Sequence, residues 1–337
     1  MVAAHQHLAA RIPRTKVRVV ALGFFFLMAG VSPAGSQEGA LPTAEQTLRV
    51  STDVVNVYAI VREKKRPVAN LHRDDFELTE DNVPQQIRYF SRETDTPLTL
   101  GIMIDTSPSQ ERVLGVEQEE AKTFLRQVLR PKDLAFVLHF DLEVELLQDF
   151  TNNLSLLSRA IDGTVMRSGP SGPLPSPFPT RSVGGTHLYD AVYLAARELM
   201  KNEVGRKVLI LLSDGEDQGS TVKLSTALEA AHKADVIIYS IAVIDRAFYW
   251  GRMQGFGGDS VLKKYAEETG GRVIEVRKAR DTGAAFQEIA DELRTQYLLG
   301  YTPANTRRDG TFRKIRVNVR DRDCKVQARR GYYAPTS

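Results

Sequence analysis

The chain has 337 residues, 42% of them hydrophobic and 26% charged, the make-up of a globular protein with room for one large domain or two modest ones. Lysine and arginine number 45 against 42 aspartates and glutamates, a balance that gives no support for nucleic-acid binding. Cys324 is the single cysteine, which excludes an intrachain disulfide and a cysteine-based metal cluster. In chain order, residues 1–36 read first as a secretory signal peptide. Arg11, Arg14, Lys16 and Arg18 form a basic region, Val19–Val31 is an apolar core of 13 residues, and Ala34-Gly35-Ser36 is a small-residue cleavage site. A bilayer span needs roughly 20 apolar residues, so the expectation is cleavage and export, to the periplasm or beyond, with no membrane span in the mature protein. Cleavage would remove four basic residues and no acidic one, leaving 41 against 42.

Residues 37–48 are small, polar and without period, as in a linker. The segment 49–96 is β-rich. "VVNVYAIV" (54–61) is full of β-branched residues and ends in the turn "REKKRP", and "FELTE" and "IRYFS" flank "DNVPQ" as in a hairpin. From 97 to 292 the pattern changes. Apolar runs LTLGIMI (98–104), LAFVLHF (134–140), KVLILLS (207–213), VIIYSIAVI (236–244) and RVIEV (272–276) alternate with helical stretches at 112–130, 187–200, 223–234, 260–269 and 284–299. Strands that are apolar on both faces and alternate with helices predict an α/β, doubly wound, mostly parallel sheet with helices on both sides. The tail, 293–337, returns to β. In "TFRKIRVNVRD", Ile315, Val317 and Val319 alternate with Arg316, Asn318 and Arg320, and Cys324, Val326 and Ala328 alternate with Lys325, Gln327 and Arg329. Ten basic and three acidic residues lie between Arg307 and Arg330, an arrangement that suits a solvated outer strand face better than a binding surface. The two β flanks are expected to build one small β-rich domain together.

Ligands of a doubly wound sheet gather at the carboxyl ends of its strands. Those ends carry Asp105, Ser107 and Ser109 after the first strand and Asp214 in "LLSDGEDQGS" after the third. "GGTHLYDA" sets Thr186 ahead of a helix. Singly, each is a good cap or turn residue. Together they are five hard oxygen donors on one sheet edge, which suits Mg²⁺, with Mn²⁺ or Ca²⁺ as other candidates, and not zinc or copper. With only two carboxylates, a partly hydrated Mg²⁺-like ion is favoured over a calcium cage. The neutral hydroxyls leave the ion residual positive charge for an outside acidic ligand.

"DTSPS" (105–109), Thr186 in "GGT" and Asp214 in "SDG" resemble, in order and separation, the metal-ion-dependent adhesion site of von Willebrand factor type A domains, over roughly residues 97–292. The flanks "NVYAIVREKKRPVANLHRDDFELTEDN" and "YLLGYTPANTRRDGTFRKIRVNVRD" further resemble the exported bacterial VWFA-related proteins. The resemblance implies that Ser107, Ser109 and Thr186 touch the metal, that Asp105 and Asp214 do so directly or through water, and that an Asp or Glu of a protein partner completes the shell. Ser213 departs from the threonine often found before the second aspartate. The Pro/Gly/Ser-rich insertion 164–185 and the loop 249–259, with Tyr249, Trp250 and Phe256, are candidates for the rim of a contact surface.

The expected function is an exported, non-enzymatic adhesion-type module that captures a protein partner through a metal-bridged carboxylate. One alternative is an envelope scaffold whose metal site is vestigial. Another is a metal-dependent hydrolase or phosphotransferase with Asp105 as nucleophile. Against that, Ser107 stands where a second aspartate would be needed, and the chain has no H-E-x-x-H, G-x-S-x-G or phosphate-loop motif.

Overall fold

The computed structural model describes residues 54–64, 66–92, 96–166, 185–243, 258–320 and 324–336. The expected signal peptide and linker, most of the 164–185 insertion and nearly all of the 249–259 loop lie outside them. Strand β1 (Val55–Glu63) alternates: Val55, Val57, Ala59 and Val61 enter one core, while Tyr58 and Ile60 pack on a second. After the short β2 (Arg66–Pro67), β3 (Phe76–Glu80) turns into β4 (Val83–Pro84) through Asp81 and Asn82, whose φ values of 47° and 67° fit a type I′ hairpin turn. Strand β5 (Ile87–Arg92) then joins a different sheet. The expected hairpin between "FELTE" and "IRYFS" is therefore corrected. The tight turn pairs β3 with Val83 and Pro84, and the Gln85 N–H, which donates to the Leu78 carbonyl at 2.8 Å, closes the pairing before the chain leaves for the other sheet.

The α/β portion runs β6 (Leu98–Asp105), α1 (Leu114–Val128), β7 (Leu134–Phe140), β8 (Val144–Thr151), α2 (Leu154–Asp162), α3 (Leu188–Leu194, continued as a π-helical turn to Met200), β9 (Arg206–Leu212), α4 (Leu224–Lys233), β10 (Val236–Val243), α5 (Gly258–Thr269), β11 (Val273–Val276) and α6 (Thr282–Arg294). Its six-stranded sheet has the order β11-β10-β9-β6-β7-β8, parallel throughout except for β8 against β7. Neither β8 nor α2 is among the elements expected from the sequence, although Leu154, Leu157 and Ile161 of α2 recur at helical spacing on one core-facing side. β8 is an edge strand whose residues are half-buried or exposed, so its "VELLQDFT" carries no clean alternation. Side chains of β6 serve both faces: Leu98, Leu100, Ile102 and Ile104 pack with α1, α2 and α6, and Met103 packs with α3, α4 and α5. Gly101 shares the Met103 face, where a Cβ would lie 2.4 Å from the Phe136 ring and 2.5 Å from Leu209. No helix among the described residues is long and apolar enough to cross a membrane.

Helix α6 ends at Arg294, and Tyr297–Tyr301 is strand β12, so the helix expected over 284–299 stops short of its last five residues. In "YLLGY", Tyr297, Leu299 and Tyr301 alternate into the flank core, where burial on a pleated surface overrides helical continuation. β13 (Phe312–Val319), β14 (Cys324–Ala328) and β15 (Gly331–Tyr333) complete the chain. The flanks interleave as two antiparallel sheets, β14-β1-β12-β5 with β2 beside β1, and β15-β13-β3-β4. This β layer meets the α/β sheet at the amino ends of its strands. Arg329 pairs with Asp235, just before β10, at 2.6 Å, and Gln327 Nε2 donates to the Gly270 carbonyl, just before β11, at 2.9 Å. Arg62 and Arg272 share the carboxylate of buried Glu292 at 2.7 and 2.6 Å.

Gly101→Ala is expected to lower stability by about 1–3 kcal/mol through overpacking. Adding Phe136→Leu, which removes the ring atoms in the way, should recover part of the loss. Urea unfolding of the single and double variants measures both.

Candidate metal centre

Strands β6 and β9 are parallel neighbours that pair Ile104 with Leu212. The residues that follow, Asp105 on one and Ser213-Asp214 on the other, therefore leave the sheet side by side. The chain steps from β6 outward to β7 and β8, then returns to the other side of β6 as β9. That reversal of strand order is where an open α/β sheet forms its crevice.

Asp105 is wholly buried, and both of its carboxylate oxygens accept hydrogen bonds. Oδ1 takes the Ser107 N–H at 2.9 Å, and Oδ2 takes the Ser213 hydroxyl at 2.6 Å. Ser213 Oγ in turn accepts the Gly215 N–H at 3.0 Å, which commits its proton to Asp105. Ser107 opens a single helical turn over Pro108–Gln110, where proline suits the first position. The turn brings the Ser107 and Ser109 hydroxyls to 3.1 Å, and Gln110 Nε2 donates to Ser109 Oγ at 3.3 Å. Asp214 Oδ1 accepts the Glu216 N–H at 3.1 Å. Gly215 bends the chain away with φ +85°, and a Cβ there would lie 2.5 Å from the Gly258 carbonyl oxygen, so the Asp214 loop requires glycine. Thr186 is joined to the same loop by two backbone bonds with Gln218, at 3.1 and 2.8 Å, and His187 N–H donates to the Asp141 carbonyl beyond β7 at 2.7 Å.

All five sequence-predicted residues are thus buried, with Ser109 the most open at 8% exposure. Asp105, Ser107 and Ser109 are in one hydrogen-bonded group, Asp214 follows the residue that donates to Asp105, and Thr186 is tied to the Asp214 loop through Gln218. Among the described residues no group of three or more His, Cys, Asp or Glu side chains is set to hold a metal. Three of these five donors are hydroxyls, so the set offers a cation two carboxylates and neutral oxygens, the chemistry of a hard, partly hydrated divalent ion.

Three further residues belong to this edge and were not singled out from the sequence as site residues. Ser213, read there only as a departure from threonine, holds Asp105 in place. Gln110 is wholly buried, and its Oε1 has no partner. Glu117 lies in the first turn of α1, is also wholly buried, and neither of its carboxylate oxygens has a hydrogen-bond partner. Its signal was present as a charged residue among Leu114, Ala121, Phe124 and Leu125 on the buried face of an amphipathic helix.

Burial, and then the negative charge of Asp214, pushes the Asp105 carboxyl up to about 7. Burial, and then Asp105 and Asp214, pushes Glu117 up to about 8. Both groups hold their protons more tightly folded than unfolded, where they ionise near 3.8 and 4.5. Between those values the unfolded chain is the one that has lost protons, so rising pH favours unfolding. In chelator, unfolding free energy is expected to fall as pH rises from about 4 to about 8. The slope should be shallower in Asp105→Asn, as read by denaturant titrations across that range.

A family model for the von Willebrand factor type A domain matches residues 177–291, a span that contains Thr186 and Asp214. Among solved structures, BatB from Bacteroides thetaiotaomicron is similar at 14% identity over 58% of this chain and 98% of that one, with a TM-score of 0.43. A von Willebrand factor type A protein from Catenulispora acidiphila is similar at 11% identity over 78% of this chain and 74% of that one, with a TM-score of 0.46. Proximal thread matrix protein 1 of the mussel byssus, in a structure with a zinc-occupied MIDAS motif, is similar at 17% identity and a TM-score of 0.47, over 64% of this chain and 50% of that one. The chain thus spans about half the length of that mussel protein. No curated protein matches the sequence. Residues 177–291 thus carry the match to the von Willebrand factor type A domain, and the α/β portion that holds them is flanked by antiparallel β sheets built from the segments before and after it.

Proposed function

We propose that the chain is a non-enzymatic binding module. It holds a divalent cation, Mg²⁺ before Mn²⁺ or Ca²⁺, and captures a protein partner through an Asp or Glu that completes the cation's shell. The observation that carries this reading is the pair of Ser107 and Ser109 hydroxyls, drawn to 3.1 Å beside a buried carboxylate. Ser107, Ser109 and Thr186 would touch the ion. Asp105, with both oxygens already accepting from Ser107 and Ser213, is suited to act through metal-bound water, and Asp214 supplies the second charge. A bound cation would supply the positive charge that draws in the partner's carboxylate.

The same hydrogen bonds argue against the hydrolase alternative. Both Asp105 oxygens already accept hydrogen bonds, from the Ser107 N–H and the Ser213 hydroxyl, which turns them away from a role as nucleophile. Residues 1–36, as a cleaved signal peptide, would place the module in the periplasm or outside the cell.

Calorimetric titration of Mg²⁺ into the chelator-stripped protein is expected to show one site, weakened about ten-fold or more in Ser107→Ala and Ser109→Ala. Capture of the partner from an envelope extract should require Mg²⁺, vanish with chelator and vanish in Asp105→Ala. A stripped protein that binds neither Mg²⁺ nor Mn²⁺ would leave the centre vestigial and place the interactions on the β flanks. Partner capture that persists in Asp105→Ala would reject the bridging mechanism.

A further inference from the structure

A buried carboxylate with two empty oxygens is an expensive thing for a fold to keep. An unpaired buried polar group destabilises a fold, and a charged one does so more. Glu117 is such a group: 0% exposed, with no hydrogen-bond partner at either oxygen. It is not isolated from the metal centre. Backbone hydrogen bonds lead from Ser107 through Gln110 and Val113 to Glu117: Gln110 N–H donates to Ser107 O at 2.9 Å, Val113 N–H to Gln110 O at 3.0 Å, and Glu117 N–H to Val113 O at 3.0 Å. Glu117 therefore sits three turns along the same rising segment that presents Ser107 and Ser109. Gln110, two turns nearer, has its amide nitrogen on Ser109 Oγ and its amide oxygen, also buried, without a partner. The residues around Glu117 on its helix face, Leu114, Ala121 and Phe124, are apolar core and offer no donor. The nearest charges it feels are Asp105 and Asp214, both negative. Among the described residues no donor meets this carboxylate, and its neighbours on the helix face are apolar.

We propose that Glu117 is a third carboxylate of the cation site, acting through the ion's water shell from inside the domain. This rests on the reading that Asp105, Ser107, Ser109, Thr186 and Asp214 hold a divalent ion. The three acidic side chains do not form a direct ligand cluster, so Glu117 belongs one layer back, where a hydrated ion such as Mg²⁺ keeps several waters that need acceptors. Its oxygens and Gln110 Oε1 are buried acceptors without a hydrogen-bond partner among the described residues. Partners of this kind typically change metal affinity by about 10–100-fold when removed.

The test compares wild-type protein with Glu117→Gln and Glu117→Leu, stripped with chelator. Mg²⁺ affinity is measured by calorimetry, Mn²⁺ affinity by electron paramagnetic resonance, and thermal unfolding in chelator in parallel. Both variants are expected to lose about ten-fold or more in affinity for either ion. In chelator, Glu117→Leu should unfold at a temperature equal to or above wild type, because it removes an unpaired polar group from an apolar face. Leucine also keeps the test open should glutamine disturb packing. A Glu117→Leu protein that folds and binds Mg²⁺ as wild type does would overturn the proposal and leave Glu117 a neutral core residue. A wild-type protein that binds neither ion would instead overturn the metal reading itself, and the role of Glu117 with it.

Discussion

The hydrogen bond from Ser213 to Asp105, 2.6 Å long and buried, depends on the register in which β6 and β9 lie together. Ile104 faces Leu212, so the next residue on each strand meets across the ladder, and the one after that on β9 is Asp214. A slip of one residue would turn every side chain of β6 to the opposite face, sending Ile102 and Ile104 away from α1 and α6 and separating Ser213 from Asp105. Core packing and site assembly are therefore one constraint. The apolar alternation that fills both sides of the sheet also fixes which polar residues emerge together at its carboxyl edge.

That edge concentrates negative charge where water is scarce. Asp105 and Asp214 end adjacent strands, and their charges act on Glu117, buried in the first turn of α1. Local donors offset only part of the cost: Ser107 N–H and the Ser213 hydroxyl for Asp105, Glu216 N–H for Asp214. The remainder is expressed as carboxyl groups that retain their protons near neutrality. Perturbation of this size, built from burial and like charge at a sheet switch point, is a mark of a binding or reacting site more than of a structural ion pair. The β flanks sit at the other end of the strands. Arg329 on Asp235, Gln327 on Gly270 and the Arg62–Glu292–Arg272 group tie them to the amino edge, at the far end of the strands from Asp105 and Asp214.

The doubly wound core was legible because its strands are apolar on both faces, as in β6, where all eight residues are buried. The five candidate donors stand out in the sequence because their spacing carries a pattern of oxygens that turns alone do not require. What escaped had weaker local signals. β8 is a half-exposed edge strand without alternation, and β12 follows α6 with two residues between, so its apolar run reads as more helix. "FELTE" and "IRYFS" look like partners because they are adjacent in sequence, yet pairing of β3 with β4 and β13 is set by a two-residue turn and by a strand more than two hundred residues away. Long-range pairing of that kind leaves no mark in a local window. Ser213 was noticed only as an exception to threonine, and its hydroxyl matters because of the strand it lies beside, which no spacing on its own strand reveals.

Glu117 also bears on what a bound ion could do for a partner. Asp105 and Asp214 together balance a divalent charge, and the hydroxyls of Ser107, Ser109 and Thr186 add none. On the proposed function, with Glu117 protonated, as its burial beside two carboxylates favours, a loaded site would be neutral toward an incoming carboxylate. With Glu117 ionised, the site carries one negative charge more than the ion balances, which holds the cation more firmly but repels an acidic ligand. Affinity for the ion and affinity for the partner thus pull on this carboxyl in opposite directions. A glutamate placed behind the site can meet both demands because its charge is not fixed: it can give up a proton as the ion arrives and take one back as a second carboxylate approaches.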